Sequence, residues 1–378
     1  MTPEQLAAEF PLEPDLVYLN HAAVAPWPRR TAEAIKAFAE ENCRRGASGY
    51  RQWTTIEADL RAQLRDLLNA PSADDIALVK NTSEALSMVA GGLDWQFGDN
   101  VVSSNEEFPS NRIAWEAQKR YGVEFREVDL HQDDDPEAAL MSACDARTRV
   151  LTISSVQYGT GLKLDLARLG RFCRDHDILY CVDAIQSLGA EAIDVQAIQA
   201  DFAMADAHKW LLGPEGIAVF YCSADRRYEL KLHEYGWHMV QHMGDYSRRE
   251  WRPAASARRF ECGSPNMLGI YAFSASLSLL QEIGMQSVQQ QVLDIAGYTM
   301  DMLQDIAGLQ LVTPRGDSRR VGIVTFHING RDHVALHQQL MKAGVICAPR
   351  GGGIRFSPHF YTARNRIDKA VATLQNLL

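Results

Sequence analysis

The chain has 378 residues, of which 46% are hydrophobic, 23% charged and 8% aromatic. This is the composition of an ordinary globular protein, and it excludes a disordered, collagen-like or coiled-coil chain. At ~150 residues per domain, the length predicts two domains. The 38 Lys and Arg residues against 48 Asp and Glu residues leave a net charge of −10, which argues against binding to nucleic acid or to an anionic membrane surface.

The seven cysteines are scattered along the chain and form no CxxC pair. In a chain of this length, that pattern predicts free thiols in a reducing compartment. The first residues, MTPEQLAAEF, lack the basic and apolar regions of a secretion signal, and no stretch approaches the ~18 apolar residues of a membrane helix. We therefore expect a cytoplasmic protein without a membrane segment.

From about residue 74, short β-rich segments alternate with helical ones. This alternation predicts an α/β fold with a mainly parallel sheet and helices on both faces. Such sheets bind ligands at the carboxyl ends of their strands. The predicted strands are 75–79, 100–103, 123–128, 150–156, 178–182, 200–205 and 216–221, and the predicted helices are 82–93 and 164–176.

The second half of the chain has a different organisation. Residues 224–262 are charged, aromatic and interrupted by Pro253, which predicts a long loop-rich segment. The remainder predicts a smaller α+β unit, with helices at 267–306 and 332–342, strands at 321–328, 345–347 and 354–357, and a final helix. We predict a large domain of residues 16–255 and a small domain of residues 1–15 and 256–378.

Lys209 follows an apolar strand, beside His208 and before the turn at Gly213-Pro214. A lysine in this position is partly desolvated, which lowers its pKa and makes its amine a nucleophile for Schiff-base formation. A single His-Lys pair is more often a surface feature, so the interpretation depends on the residues that accompany it.

Asp183 ends the predicted strand 178–182, 26 residues before Lys209, so one crossover and one strand separate the two. Both side chains are therefore expected at adjacent strand ends. A buried acid suits pyridoxal phosphate, whose ring nitrogen must stay protonated, although Asp183 alone could also cap a helix.

Thr82 and Ser83 lie where a strand is followed by a helix. The free N–H groups and positive dipole of a helix N-terminus form a natural phosphate site, although ordinary N-capping explains such residues equally well.

Several sequence motifs occur together in a characteristic order between Tyr18 and about Thr362. With them the chain resembles the class V aminotransferases, fold-type I pyridoxal-phosphate enzymes that include cysteine desulfurases, isopenicillin-N-epimerase-like proteins and kynureninases. The resemblance implies a seven-stranded, mainly parallel sheet in the large domain. The motifs are YLNHAA (18–23), NTS (81–83), EFPSN (107–111), VDAIQ (182–186), HK (208–209) and RFECGS (259–264).

The resemblance implies pyridoxal 5′-phosphate as cofactor and assigns roles around its ring. Lys209 would hold the cofactor as a Schiff base and act as general base or acid at the substrate Cα. Asp183 would pair with the ring nitrogen, and Gln186 and Gln157 would approach the phenolic oxygen. Phe108 takes the position of the ring-stacking residue.

The resemblance also implies residues for the phosphate and for the substrate. Thr82, Ser83 and His208 would hold the phosphate, and Ser264 would reach it from the second subunit of a homodimer with shared active sites. Arg355 aligns with the arginine that binds the substrate α-carboxylate, and we also assign His21 and Asn20 to the substrate.

The chain departs from the desulfurase pattern at two places. Asp206 takes the position of a phosphate-binding serine, and because a carboxylate repels phosphate we exclude it from the site. The loop that carries the desulfurase nucleophile is shortened here to Gly351-Gly352-Gly353, and Cys347 lies in the preceding strand. We therefore expect Cys347 to be buried and inert.

A metal site at His233, His238 and His242 lacks the HExxH pattern, and we predict none. The leading hypothesis is a pyridoxal-phosphate enzyme that acts on a small amino acid through an external aldimine and a Cα carbanion, in a lyase-like or epimerase-like reaction. The alternatives are a transaminase, then a cysteine desulfurase, then a non-catalytic protein that binds the cofactor.

Overall fold

The structure is a computed structural model that describes residues 1–132 and 134–378. Its longer helices surround a central sheet or pack beside a smaller one. The helices are α1 (Pro3–Glu9), α2 (Arg29–Arg45), α3 (Tyr50–Leu68), α4 (Thr82–Gly92), α5 (Ser110–Glu116), α6 (Pro136–Ser142), α7 (Leu166–Asp175), α8 (Met267–Ile283), α9 (Met285–Gln304), α10 (His333–Lys342) and α11 (Arg364–Leu377).

The strands are short, as is usual in α/β proteins. They are β1 (Val17–Tyr18), β2 (Ile76–Val79), β3 (Asn100–Ser104), β4 (Glu124–Val128), β5 (Thr148–Ser154), β6 (Leu179–Asp183), β7 (Phe202–Asp206), β8 (Ala218–Cys222), β9 (Leu309–Leu311), β10 (Val324–Ile328), β11 (Val345–Ile346), β12 (Ala348–Arg350) and β13 (Gly353–Phe356).

Within the described ranges, seven strands form the central sheet in the order β2-β8-β7-β6-β5-β3-β4. Strand β8 runs antiparallel to β2 and β7, and the other neighbours are parallel. Helices cover both faces, so strands such as β6 and β7 are buried along their whole length. This arrangement confirms the predicted α/β fold with a mainly parallel seven-stranded sheet.

The second unit contains an antiparallel sheet in the order β12-β13-β10-β9 and the parallel pair β1-β11. Val17 and Leu19 pack into the apolar core of this unit, together with the second half of α9. The apolar side chains of α8, such as Phe273, instead join the core of the large sheet. The domain boundary near residue 255 stays a prediction, and the packing of α8 favours a later one.

Two features of the chain between these sheets follow its local sequence. Residues 224–262 contain loops and a single 3₁₀ turn at Ala257–Phe260. The helical run predicted over 267–306 is divided into α8 and α9 at Gly284, whose φ of +85° ends the first helix. Within residues 1–132 and 134–378, no helix has both the length and the apolar character needed to cross a bilayer.

Candidate active site

A cavity of about 220 Å³ lies at the carboxyl ends of the central strands. Strands β5, β6 and β7 are parallel neighbours, so the residues at and just after their ends meet at one edge of the sheet. The small unit closes the cavity from the other side. The lining residues are Ala22, Ala23, Thr82, Phe108, Ser110, Tyr158, Asp183, Ile185, Gln186, Asp206, His208, Lys209, Arg350 and Arg355.

Lys209 lies in the tight turn that follows β7. The turn is held by a hydrogen bond from Leu212 N to the Lys209 carbonyl, and Leu212 has a left-handed φ of +60°, which is uncommon for a residue with a branched side chain. Lys209 is 8% exposed. Burial lowers the pKa of its amine, and the nearby Arg355 cation lowers it further while the Asp183 carboxylate opposes the shift. The resulting pKa of Lys209 is about 8, so a fraction of the amine is neutral near physiological pH.

Asp183 ends β6 and is 2% exposed. Its Oδ1 accepts a hydrogen bond of 3.0 Å from Ile185 N. Burial raises the pKa of Asp183, and the carboxylate of Glu107 raises it further. A carboxyl group in such surroundings is stabilised in its charged form when a cation, such as a protonated ring nitrogen, binds next to it.

The start of α4 forms a polar corner of the cavity with His208. The Thr82 Oγ1 and His208 Nδ1 atoms are buried, and neither has a hydrogen-bond partner within the described part of the chain. Burial lowers the pKa of His208 to about 4, and the neighbouring Lys209 cation adds to this effect, so the imidazole is neutral. Unpaired donors at a helix N-terminus are the arrangement that binds a phosphate group.

Asp206 lines this same corner, which corrects the prediction that it lies outside the site. Its Oδ1 accepts a 3.2 Å hydrogen bond from Thr82 N, and burial raises the pKa of Asp206 to about 6. The residue can therefore take up a proton at a modest cost when an anion approaches, which reduces the repulsion that motivated its exclusion.

Arg355 is a buried cation at the opposite wall of the cavity. It is 2% exposed, its Nη1 donates to the Tyr158 carbonyl at 2.7 Å, and its Nε has no partner within residues 1–132 and 134–378. Burial lowers the pKa of Arg355 to about 10, so the guanidinium remains charged at neutral pH. A buried charge without an acidic partner is costly, and a substrate carboxylate would compensate for it.

Aromatic and amide side chains lie around Lys209. The Lys209 Nζ atom lies 5.5 Å from the centre of the Phe108 ring, which meets the Tyr158 ring edge to face at 5.2 Å. Phe108 is 40% exposed, so one face is available to a planar ligand. The Gln186 side chain is fixed at both ends, because its Nε2 donates to the Ala22 carbonyl and its Oε1 accepts from Trp210.

Gln157 and Ser83 lie just outside the cavity lining. Gln157 is fully buried, with Nε2 donating to Glu107 at 3.0 Å and Oε1 unpaired within the described chain. Ser83 donates to Ser110 Oγ at 2.7 Å, and Ser110 is itself a lining residue. Gln157 and Ser83 therefore contact neighbours of the cavity, Glu107 and Ser110, and are not themselves part of its lining. Their roles at the cofactor stay predictions.

Glu107 lies behind the cavity lining, and the sequence motifs assign it no role. This buried carboxylate accepts hydrogen bonds from Ser154 N and Oγ, Gln157 and Asn111. Burial raises the pKa of Glu107. The sequence feature that could have identified Glu107 is its position directly before Phe108. A residue next to one that lines a cavity can project its side chain into the layer behind the cavity.

Two of the predicted substrate residues, His21 and Asn20, are not among the residues that line the cavity, and their role in substrate binding stays a prediction. His21 is fully buried, and its ring nitrogens contact the Ser357 carbonyl at 2.8 Å and the Tyr361 hydroxyl at 2.6 Å. Burial lowers the pKa of His21 to about 4, so it is a neutral link between the first strand segment and the small unit. The backbone of Asn20 bridges to Ser357, and its Oδ1 is buried without a hydrogen-bond partner in the described part of the chain.

Ser264 lies at a separate pocket, lined also by Gly216, Glu234 and Cys262. Within one chain it is not a residue of the cavity that contains Lys209. This position is compatible with the predicted contribution to a second subunit, which stays a prediction.

The three histidines considered for a metal do not gather. His242 and His238 do not share a helix, because His242 lies in a loop. His238 is buried between Glu57 and Glu261, and its ring nitrogens lie 3.7 and 3.6 Å from their carboxylate oxygens. Glu57, His238 and Glu261 do bring three possible ligand atoms together, but Arg61 already binds both carboxylates.

Comparison with known proteins places this site in a family. Residues 17–369 match the sequence profile of the family described as Aminotransferase class-V. The chain is 31% identical to the probable cysteine desulfurase of Methanothermobacter thermautotrophicus, over 100% of this chain and 98% of that protein. The cysteine desulfurase CsdA of Escherichia coli, as its S-sulfonic acid form, superposes with a TM-score of 0.88 at 25% identity, covering 100% of this chain and 99% of the other.

The cystine C–S lyase C-DES, solved with its product cysteine persulfide, superposes with a TM-score of 0.90 at 23% identity, covering 97% of this chain and 99% of the other. The chain belongs to the class V aminotransferase family. It is an enzyme of that family, which confirms the predicted fold type and the predicted cofactor, pyridoxal 5′-phosphate.

Proposed function

We propose that the protein is a pyridoxal-phosphate-dependent lyase that breaks the bond between Cβ and a sulfur substituent of a small amino acid, without passing the sulfur to a cysteine of its own. The observation that carries this proposal is the lack of a thiol at the cavity: within the described chain, none of the lining residues is a cysteine. The names of the relatives support sulfur chemistry, and C-DES offers a fold neighbour that is a C–S lyase.

The residues of the cavity fit pyridoxal phosphate. The unpaired Thr82 Oγ1 and His208 Nδ1 atoms beside the start of α4 suit its phosphate, Asp183 suits its ring nitrogen, and the exposed face of Phe108 suits its ring. When bound, the cofactor supplies an electron sink for charge that develops at the substrate Cα.

The protein side chains then account for the proton movements. The neutral amine of Lys209 accepts the proton from Cα, and the electron pair of the broken C–H bond forms a double bond to Cβ as the sulfur substituent leaves with its bonding electrons. The leaving sulfur takes a proton from solvent or from the lysine. The remaining three-carbon fragment reacts with water to give pyruvate and ammonia, so no oxidant or reductant is needed.

The products separate this proposal from its alternatives. We expect the holoenzyme to release pyruvate, ammonia and a sulfur product in equal amounts from L-cysteine or L-cystine. A desulfurase yields alanine and protein-bound persulfide instead, a racemase yields the D-amino acid, and a transaminase needs a keto acid. Alanine as the main product, in amounts that match the sulfur released, would contradict the proposal.

Replacement of Cys347 by alanine is expected to leave most of the turnover intact. Cys347 is 2% exposed, between β11 and β12, and burial raises the pKa of its thiol to about 12, so it is protonated and shielded from substrate. The matched control is Cys173→Ala, which removes an equally buried thiol from α7. Loss of turnover in Cys347→Ala alone, with loss of protein-bound persulfide, would favour a desulfurase.

Arg355→Lys is expected to raise KM by ~10-fold or more and to increase the share of side products. An ammonium group lacks the planar fork that binds a carboxylate with two parallel hydrogen bonds. Substrate held less firmly reacts along competing routes, because its orientation decides which bond at Cα breaks. The measurement is steady-state kinetics on substrates with and without the α-carboxylate. If Arg355→Lys discriminates between them as the wild type does, Arg355 is not the carboxylate anchor.

A further inference from the structure

A second arginine, Arg350, lines the cavity, and the reaction proposed above does not use it. Arg350 ends β12 and is exposed. Its Nη1 donates to the neighbouring Pro349 carbonyl at 2.9 Å, and it forms no ion pair with an acidic side chain of the described chain. The guanidinium is therefore free to bind an anion.

The strand register puts Arg350 on the same face of the hairpin as Arg355. Ala348 pairs with Arg355, and Arg350 pairs with Gly353. Directly opposite residues of an antiparallel pair project to one face, and so do residues two apart on one strand. The two guanidinium groups are thus diagonal neighbours, and the Arg350 charge lowers the pKa of both Arg355 and Lys209.

The two arginines differ in depth. Arg355 is 2% exposed at the inner wall, where the α-carboxylate would bind, whereas Arg350 lies at the solvent side of the same wall. One α-carboxylate neutralises one of the two positive charges. The second charge then faces the part of the substrate that extends from Cα toward solvent.

We propose that Arg350 binds a second anionic group, at the far end of the substituent on the substrate Cβ. The preferred substrates are then amino acids that carry two acidic groups. This inference rests on the proposed function, because it takes Arg355 as the anchor of the α-carboxylate.

The test uses two compounds of equal size that differ by one charge, S-carboxymethyl-L-cysteine and S-carbamoylmethyl-L-cysteine. Binding to the holoenzyme is measured from the absorbance change of the bound cofactor, which requires no product release, and kcat/KM is measured from pyruvate formation. We expect wild type to prefer the carboxymethyl compound by ~10-fold or more in both quantities. The preference should weaken as salt is added, because Arg350 is exposed.

The decisive variant is Arg350→Gln, with Arg331→Gln as its control, since Arg331 is an exposed arginine outside the cavity. Arg350→Gln should bind both compounds with similar affinity, whereas the control should keep the wild-type preference. Equal binding of the two compounds by wild type overturns the inference. An equal loss of affinity for both compounds in Arg350→Gln also overturns it, and assigns Arg350 to the α-carboxylate. If the preference is found but no pyruvate forms, the proposed lyase reaction fails and the role of Arg350 stands.

Discussion

The Lys209→Ala variant is expected to lose turnover by about 10³-fold or more, which corresponds to about 4 kcal/mol of activation free energy. The variant removes both the amine that links to the cofactor and the base that accepts the Cα proton. Borohydride treatment should attach the cofactor covalently to wild type and not to the variant, as measured by the mass of the intact protein.

Lys231→Ala is the control for this experiment, because Lys231 is an exposed lysine that pairs with Asp94 outside the cavity. It should retain both the covalent adduct and the turnover of wild type. Covalent fixation of cofactor in Lys209→Ala would show that a different amine forms the link.

Asp183→Asn is expected to lower turnover by about 10²- to 10⁴-fold, or about 3 to 5 kcal/mol in barrier. Asparagine has nearly the same volume, but it lacks the negative charge that keeps the ring nitrogen of the cofactor protonated. The protein should still fold and bind cofactor, so the loss should fall on kcat rather than on the amount of bound cofactor.

A suitable comparison is Asp201→Asn, at the other end of the same pair of strands. Asp201 is also buried, accepts a hydrogen bond from Tyr180 N and pairs with Arg226. The Asp201→Asn variant should lower the free energy of unfolding, with a smaller effect on turnover. An unchanged kcat in Asp183→Asn would remove Asp183 from the reaction.

The large sheet was predictable from the sequence because its strands are buried on both faces. Such strands form continuous apolar runs between helices, as in 178–182 and 200–205, and these runs are visible without knowledge of the fold. The bounds of these strands differ from the predicted ones by at most two residues, and the long helical run was divided at Gly284. Helix periodicity does not show where one helix ends and the next begins.

The strand-end residues of the site were also predictable from the sequence, because Asp183 and Lys209 are polar groups at or just after the ends of apolar strands. The surroundings of His21 and Asp206 were not predictable, for a different reason. Whether a polar side chain points toward a cavity or into a buried contact depends on distant partners, such as Ser357 and Tyr361 for His21. Motif order carries no information about these contacts.

The backbone around Gly351 sets limits on how substrate reaches the cavity. A Cβ atom at Gly351 would lie 2.4 Å from the Gly159 carbonyl, and one at Gly353 would lie 2.0 Å from the Phe326 carbonyl. At Gly351 the turn between β12 and β13 is therefore packed against the backbone of Gly159, whereas a Cβ atom at Gly352 would meet open space. Because Gly351 is held at this close approach, we expect the turn to keep its position when substrate binds.

Substrate association should for this reason be a single bimolecular step. In rapid mixing, the association phase that precedes exchange of the Lys209 link should have an observed rate that rises linearly with substrate concentration, without the plateau that a slow opening step imposes. The same packing means that the turn does not tolerate a larger residue at Gly351. Gly351→Ala should slow association and product release together, because the turn must then move away from Gly159 and narrow the entrance.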